Sequence, residues 1–334
     1  MTEASVVICA HTLDRWDELK RAVGSVRAQT HVPREIIVVV DNNEALLKRA
    51  AREIAGVTVL PNARQAGLSG GRMTGAEYTT APVIAFLDDD AVADPHWLEE
   101  LLEAYRDPAV LGAGGLVEPL WQVPPPSWFP DEFHWVVGCT YAGMHVRDGR
   151  IRNPIGANMS VRADVLRHAG GFAPDLGRRK LGFSVSGRVR IGGKAESCEE
   201  TEFCIRAAGL YPGGYWAYRP AAHVLHTVPV QRTTWKYFVH RCLVEGTAKA
   251  VLSGLAGSKD ALGAEWRYVR EVLPRAVASD LKAAMRGKAG AARRAGAIMA
   301  GLALTAFAYA TTRLGGAAEA LSQHLLSRVR VWRA

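Results

Sequence analysis

Short apolar runs alternate with amphipathic segments over the first ninety residues of the chain. The apolar runs occupy residues 6–10, 35–40, 57–60 and 82–87. Segments with helical periodicity lie between them, at residues 16–29, 44–54 and 69–79. Strands that are apolar almost throughout and alternate with helices are typical of a parallel sheet covered on both faces. The pattern therefore predicts an α/β fold with a mostly parallel central sheet.

The pattern becomes less regular after Val110. Residues 156–161 predict a further strand, and residues 163–169 and 199–208 predict helices. Residues 119–130 are rich in Pro and Trp and predict a semi-rigid loop. Residues 177–197 contain mostly Gly, Ser, Arg and Lys without a clear period, which is typical of a functional loop.

From Thr233 onward the hydrophobic pattern is helical to the end of the chain. We therefore predict three parts, at residues 1–112, 113–229 and 230–334, the last of them a helical extension. Residues 295–312 carry no charge. They are rich in Ala, Gly and Thr, which favours a helix buried against the domain or lying in a membrane interface over one that spans the membrane.

Charge is distributed unevenly along the 334 residues. The segment from Arg232 to the end contains 17 Lys and Arg against 6 Asp and Glu, a net charge of +11, whereas the whole chain has +8. A basic extension of this kind favours contact with an anionic surface. Because neither zinc-finger spacing nor an RNA-binding aromatic signature occurs, we expect a membrane surface and no nucleic acid.

The cysteines and the first residues of the chain indicate the cellular compartment in which the protein is located. The five cysteines form no CxxC pair, and the chain enters a strand-like run almost at once instead of a signal peptide. Both observations favour a reducing cytoplasm, with the protein peripheral on the inner face of the cell membrane.

Three consecutive carboxylates follow the buried run at residues 82–87. Because side chains alternate along a strand, Asp88 and Asp90 should leave on one face and Asp89 on the other. The carboxyl ends of strands are where open α/β sheets bind ligands. Paired carboxylates at that position indicate a binding site for a divalent cation, Mg²⁺ or Mn²⁺. A solvated acidic loop could have the same sequence and is the alternative.

Further polar residues follow the other predicted strands and should share that crevice. They predict a binding site for a nucleoside diphosphate. Asp41 would accept a hydrogen bond from base or ribose, glycines would permit close approach of the backbone, and Arg72 would pair with a phosphate oxygen. The candidate donor-binding residues are Thr12, Asp14, Arg15, Asp41, Asn62, Gly70, Gly71, Arg72, Asp88 and Asp89.

Several of these segments resemble the inverting family 2 glycosyltransferases. The resemblance covers roughly residues 4–226 and is carried by residues 83–90, by the glycine-rich segment 68–72, and by Gly170, Gly171 and Phe172 ahead of Glu199 and Glu200. It implies a GT-A fold, the Rossmann-like fold of nucleotide-diphospho-sugar transferases, with a C-terminal helical extension. The stretch around residues 226–250 is similar to glucosyl-dolichyl-phosphate glucuronosyltransferase-like members of actinobacterial type.

The resemblance also implies roles for individual residues. Asp88 would contact the nucleoside and Asp90 the metal, with His226 as a further metal ligand. An acidic pair opening a late helix would supply the base, here Glu200 with Glu199 as competitor; the family more often has Asp at the second position. A helix-capping role for this pair remains the alternative. Trp128 and Asn158 are the candidate acceptor contacts, with core packing the alternative for Trp128.

The sequence thus predicts direct displacement of a nucleotide from a nucleotide-diphospho-sugar, with UDP-sugars favoured. The acceptor would be a hydroxyl of a saccharide, a lipid-linked saccharide or a natural product. A nucleotidyltransferase is a second reading, but the loop at residues 10–15 lacks the glycines expected of one. A non-catalytic protein that binds sugar or nucleic acid is a third.

Overall fold

The computed structural model describes residues 2–144, 147–173, 198–256 and 265–331. The loop predicted at residues 177–197 lies outside the described residues.

A single nine-stranded sheet forms the centre of the molecule. Its strands, in chain order, are β1 (Ala4–Ala10), β2 (Glu35–Val40), β3 (Thr58–Pro61), β4 (Val83–Asp88), β5 (Ala91–Ala93), β6 (Val110–Trp121), β7 (Gly149–Ile151), β8 (Asn158–Arg162) and β9 (Tyr215–Val228). Their spatial order is β3-β2-β1-β4-β8-β6-β9-β5, with β7 beside β9. Strands β1 to β4, β6 and β9 run in one direction, because β8 is antiparallel to both β4 and β6 while β6 and β9 are parallel. The α/β class with a mostly parallel sheet is confirmed.

Helices cover both faces of this sheet. They are α1 (Trp16–Arg27), α2 (Glu44–Glu53), α3 (Leu68–Tyr78), α4 (Trp97–Glu103), α5 (Ala163–His168), α6 (Glu199–Leu210), α7 (Trp235–Ala256), α8 (Leu273–Met285) and α9 (Ala291–Val331). Their bounds lie close to those the sequence periodicity predicts. The reason is visible in α1, where Leu19, Val23 and Val26 are buried at helical spacing.

Strand β6 differs from the sequence-based expectation. Its residues include three glycines and a proline, so the segment lacks the β-branched run of a typical strand. The glycines are required by packing, since a Cβ at Gly115 would lie 1.9 Å from the Ala222 carbonyl oxygen. Because β6 crosses the predicted boundary at residue 112, the two predicted halves share one sheet.

The C-terminal helices pack against the sheet domain. Phe238, Cys242, Leu273 and Ile298 belong to the same apolar core as the sheet residues. Within α9, residues Ala291–Gly315 are long and apolar enough to cross a membrane. In the apolar 18-residue stretch of this segment, 28% is buried inside the protein. The first turns of α9 are therefore part of the folded core.

Candidate active site

The end of β4 and the end of β9 meet at the Asp triplet. Strand β5 pairs antiparallel with β9 and places Ala91 opposite His226. The Thr227 amide donates to the Asp90 carbonyl oxygen at 2.8 Å. This register brings the His226 Nε2 atom to 3.1 Å from an Asp90 carboxylate oxygen.

Asp88, Asp90 and His226 could hold a metal ion. One ligand atom from each of these three side chains lies within 4.8 Å of the others. Carboxylate oxygens with one imidazole nitrogen suit Mn²⁺ and comparable divalent ions. Although burial raises the pKa of Asp90, His226 and Arg15 outweigh it and lower that pKa well below its usual range. The Asp90 carboxylate is therefore ionised, as a ligand must be.

His226 is oriented from both sides of its ring. Its Nδ1 atom lies 3.7 Å from the Cys139 sulfur, and its Nε2 atom faces Asp90. Burial lowers the pKa of His226, but the Asp90 carboxylate prevails and raises it to about 10. A metal ion held by His226 would take the place of a proton on Nε2.

Asp89 has a different environment from its two neighbours. It is buried and accepts a hydrogen bond from Arg15 at 2.8 Å, and the same guanidinium lies 3.0 Å from Asp90. Burial, together with the neighbouring Asp90, raises the pKa of Asp89 to about 7 despite Arg15. Asp89 is not one of the three grouped ligands; β4 ends at Asp88, and the turn after it contains both Asp89 and Asp90.

Arg72 connects the Asp triplet to the glutamate pair. Its side chain is only 2% exposed, and its guanidinium lies 3.1 Å from Glu200, 3.5 Å from Asp88 and 3.6 Å from Glu199. These carboxylates raise its pKa against the opposing effect of burial. Its Nη2 atom is buried without a hydrogen-bond partner among the described residues, so it remains available to a ligand.

The glutamate pair opens helix α6. Cys198 precedes it with a left-handed backbone (φ 78°), a conformation uncommon for residues other than glycine. Glu199 is buried, whereas the Glu200 side chain is 19% exposed. A Cβ at Gly156 would lie 1.9 Å from a Glu200 carboxylate oxygen, so the backbone at Gly156 makes room for this side chain.

The residues after β2 and β3 form a connected polar turn. Asp41 accepts hydrogen bonds from the Asn62 amide nitrogen at 2.6 Å and from the Gly67 backbone at 2.9 Å. Asn62 in turn accepts from the Thr74 hydroxyl at 2.9 Å. Gly67 has a φ of 125°, which favours glycine. Thr12 and Asp14 lie in the loop after β1, where the Thr12 hydroxyl donates to Asp14 at 3.0 Å.

Gly70 and Gly71 are used differently from the expectation. Both are buried inside the protein rather than placed for contact with a phosphate. A Cβ at Gly70 would lie 2.0 Å from the Gln65 carbonyl oxygen, and one at Gly71 would lie 3.1 Å from the Cys9 sulfur. The absence of side chains therefore allows α3 to pack against β1 and the preceding turn.

A cavity of about 830 Å³ lies beside these groups. Of the predicted site residues, Arg72, Asp88, Glu199, Glu200 and His226 line it. The C-terminal extension contributes lining residues from α7, from the helical segment just before α8, and from α9. The structure thus brings Asp88, His226 and the glutamate pair to one space, whereas its lining residues do not include Thr12, Asp14, Arg15, Asp41 and Asn62.

The two predicted acceptor contacts lie elsewhere, and this corrects the expectation. Asn158 is completely buried, accepts a hydrogen bond from the Trp97 indole at 2.8 Å, and donates to the carbonyl oxygens of Leu116 and Ala222. Its amide is saturated by the sheet and α4. The Trp128 ring packs against Phe129, Trp235 and Phe238 at centroid distances of 5.1 to 5.6 Å. It joins the domain to α7.

Some cavity residues had no role in the sequence-based prediction. Arg232 is buried 3.7 Å from Asp90. Trp135 lines the cavity and donates to the Tyr268 hydroxyl at 3.3 Å. Tyr237 and Arg241 of α7 also line it. Arg232 follows His226 by only six residues, and this short spacing could have indicated its role from the sequence. Nothing in the sequence alone indicates Tyr237 or Arg241, because their position depends on how α7 packs.

Comparison with known proteins places this geometry in context. The family model described as glycosyl transferase family 2 matches residues 5–170. The glucosyl-dolichyl phosphate glucuronosyltransferase of Haloferax volcanii is 34% identical over 256 residues, which cover 75% of this chain and 77% of that protein. Polypeptide N-acetylgalactosaminyltransferase 15 of Mus musculus is 37% identical over 111 residues, which are 31% of this chain and 17% of the mouse protein.

Similarity extends to solved structures. The mannosyltransferase of Pyrobaculum calidifontis, solved with GDP-Man and Mn²⁺, aligns with a TM-score of 0.52 over 90% of this chain and 86% of that one. Its sequence identity is 14%, so the alignment speaks for the fold. The predicted GT-A fold is confirmed.

Proposed function

Because this chain belongs to glycosyl transferase family 2 and is a glycosyltransferase, we propose that it transfers a sugar from a nucleotide-diphospho-sugar with inversion, aided by a divalent metal. The observation that carries the proposal is one cavity lined by both Asp88 with His226 and by Glu199 with Glu200. Metal ligands and a candidate base thus face the same space. We retain the division into a donor half at 1–112, an acceptor half at 113–229 and an extension at 230–334.

In the proposed chemical step, the glutamate pair acts on the acceptor. Glu200, the more exposed of the two glutamates, removes the proton from the acceptor hydroxyl. That oxygen forms a bond to the anomeric carbon while the bond from this carbon to the phosphate oxygen breaks. The nucleoside diphosphate departs with the electron pair, and the anomeric carbon is inverted. Because displacement is direct, the enzyme needs no nucleophile of its own.

Other residues hold the donor. Asp88, Asp90 and His226 would hold Mg²⁺ or Mn²⁺, which neutralises the charge that develops on the departing diphosphate. The Arg72 Nη2 atom has no hydrogen-bond partner among the described residues and lies 3.5 Å from Asp88, and it would donate to a phosphate oxygen of the bound nucleotide sugar. Asp41 and Asn62, with Thr12, Asp14 and Arg15 nearby, form the nucleoside end of the site.

Substrate class follows from the relatives and the cavity. The Haloferax volcanii protein is named for glucuronosyl transfer to glucosyl-dolichyl phosphate, which favours a lipid-linked acceptor over a free saccharide. We retain UDP-sugars as the favoured donors, with GDP-sugars the competitor that the Pyrobaculum calidifontis complex suggests. The basic extension would place the protein on the inner face of the cell membrane, peripheral and cytoplasmic.

A donor screen tests the function. The full chain is incubated with UDP-, GDP- and dTDP-sugars in Mn²⁺, in Mg²⁺ and in EDTA, and the released nucleoside diphosphate is measured by mass spectrometry. We expect release from one nucleotide class, with loss of release in EDTA. Unchanged release in EDTA would remove the metal from the proposal. The absence of release from every donor, with or without a short-chain lipid-phosphate sugar as acceptor, would contradict the proposed transfer.

A further inference from the structure

One face of α7 forms part of the cavity wall. Tyr237, Arg241, Glu245 and Lys249 all line the cavity. They are spaced four residues apart, which places them in one row along the helix. The row runs from Tyr237, near the start of α7, to Lys249, which contacts Glu265 in the segment before α8.

Most charges of this wall neutralise one another. Lys249 lies 3.4 Å from Glu245 and also contacts Glu265. Arg152 donates two hydrogen bonds to Glu265, at 2.8 and 3.0 Å. Two cations and two carboxylates thus form a closed group, which needs no further counter-ion.

Arg241 has no such compensation. It is half-buried and lines the cavity. Over the described ranges 2–144, 147–173, 198–256 and 265–331, no carboxylate lies within 4.0 Å of its guanidinium. A partly buried cation without a counter-ion is unfavourable, so an anionic ligand in the cavity would be stabilised there.

Arg241 is also separated from the metal group. Arg232 is the cation next to Asp90, at 3.7 Å, and it would face the donor diphosphate. Arg241 lies in α7, nine residues further along the chain, and is not among the cations that pair with Asp90 in the described residues. The cavity therefore offers a cation in addition to Arg232.

The neighbouring wall is suited to hydrocarbon. Leu302, Ala306 and Tyr309 of α9 line the same cavity. On the outer side of α9, Met299 and Phe307 are exposed. An apolar chain leaving the cavity along α9 would therefore reach an apolar surface of the protein.

We propose that Arg241 is the binding site for the phosphoryl group of a lipid-linked acceptor. The guanidinium pairs with the phosphate, the hydrocarbon lies along α9, and the acceptor sugar extends toward Glu200. This assignment rests on the proposed transfer reaction and adds to it the residue that recognises the acceptor phosphate.

Direct binding to the full-length protein tests the assignment without turnover. Octyl phosphate, octanol and inorganic phosphate serve as probes, measured by calorimetry for the native protein, Arg241→Gln, Arg241→Lys and the control Lys236→Gln. Lys236 is exposed on the same helix and is not among the cavity-lining residues. We expect octyl phosphate to bind best, Arg241→Gln to weaken it about 10- to 100-fold, Arg241→Lys to weaken it less, and Lys236→Gln to leave it unchanged.

Several outcomes overturn the assignment. The assignment fails if octyl phosphate binds equally well to the native protein and to Arg241→Gln, or if it does not bind to the native protein. It also fails if inorganic phosphate binds as tightly as octyl phosphate. If Arg241→Gln weakens UDP binding in Mn²⁺ by the same factor, Arg241 belongs to the donor site and the assignment also fails. The donor screen fails or succeeds independently, because these measurements involve no sugar transfer.

Discussion

Asp90 has three cationic neighbours. Arg15 lies at 3.0 Å, His226 at 3.1 Å and Arg232 at 3.7 Å. The sequence predicted that Asp88 and Asp90 would lie together, although β4 ends at Asp88 and a turn, rather than strand alternation, brings Asp90 to it. It did not predict that Arg72 would lie buried among three carboxylates, since that depends on where α6 packs.

Metal binding should release a proton. His226 has a pKa raised to about 10 by Asp90, so at neutral pH its Nε2 atom carries a proton that a metal must displace. We expect release of about one proton per Mn²⁺ at pH 7 and an apparent Mn²⁺ affinity that rises with pH, by up to about tenfold per unit. Calorimetry in two buffers of different ionisation enthalpy measures the release. His226→Ala should abolish it, and proton-free binding by the native protein would rule out His226 as a ligand.

The two glutamates can be separated by amide substitution. Glu200→Gln keeps the shape of the side chain but cannot accept a proton, so kcat should fall about 100- to 10,000-fold while donor affinity is retained. Steady-state kinetics combined with calorimetric UDP-sugar binding measures both quantities. A larger loss of kcat in Glu199→Gln than in Glu200→Gln would move the base to Glu199.

The secondary structure elements were predicted best where their signals are local. Helix α1 shows its apolar positions directly in the sequence, and β1 to β4 are apolar runs. Strand β6 was missed because Gly112, Gly114 and Gly115 serve close packing; a Cβ at Gly112 would lie 2.2 Å from the Trp216 ring. The pairing of β5 with β9 joins positions more than 130 residues apart, which no local pattern reports.

The cluster of Glu265, Lys249 and Arg152 holds the segment before α8. Its contribution to the stability of the fold should be lost in acid. Burial raises the pKa of Glu265, but Lys249 and Arg152 prevail and lower it from 4.5 to about 2. Its stabilisation is therefore present above pH 4.5 and lost as the pH falls toward 2. Glu265→Gln should lower the free energy of unfolding by roughly 2 kcal/mol at pH 7 and by less at pH 3.

Urea denaturation at both pH values measures this difference. Glu77→Gln is the matched control, because Glu77 pairs with Arg64 at the surface with 45% of its side chain exposed. Such exposed pairs contribute less than about 1 kcal/mol. An equal effect of both substitutions at pH 7 would show that the Glu265 cluster is no more important than a surface pair.

The proposed membrane contact would involve the assembled protein rather than a detachable tail. Since Ala295 and Ile298 of α9 are buried in the domain, removing the helix would disrupt the core as well as the surface. The exposed residues Met299, Phe307 and Leu314 lie on the outside of α9, next to basic residues of the extension. This combination is typical of helices that lie on anionic membranes.

Surface substitutions therefore test membrane contact without unfolding. We expect Met299→Ser combined with Phe307→Ser to reduce binding to vesicles of phosphatidylglycerol and phosphatidylcholine about tenfold or more, because two apolar side chains no longer insert. Sedimentation with vesicles measures the bound fraction. Val32→Ser is the control, since Val32 is 78% exposed and lies before β2. Equal binding of the double variant and the native protein would refute contact through α9.

The wide separation of Asp88 and His226 along the chain has a consequence for protein synthesis. The region matched by the family model ends at residue 170, before either glutamate or His226 has been made. Since domains form as the chain emerges from the ribosome, a chain that ends at residue 170 lacks both His226 and the glutamate pair. We therefore expect such truncated products not to hydrolyse nucleotide sugars, because the proposed site is complete only after β9 has been made.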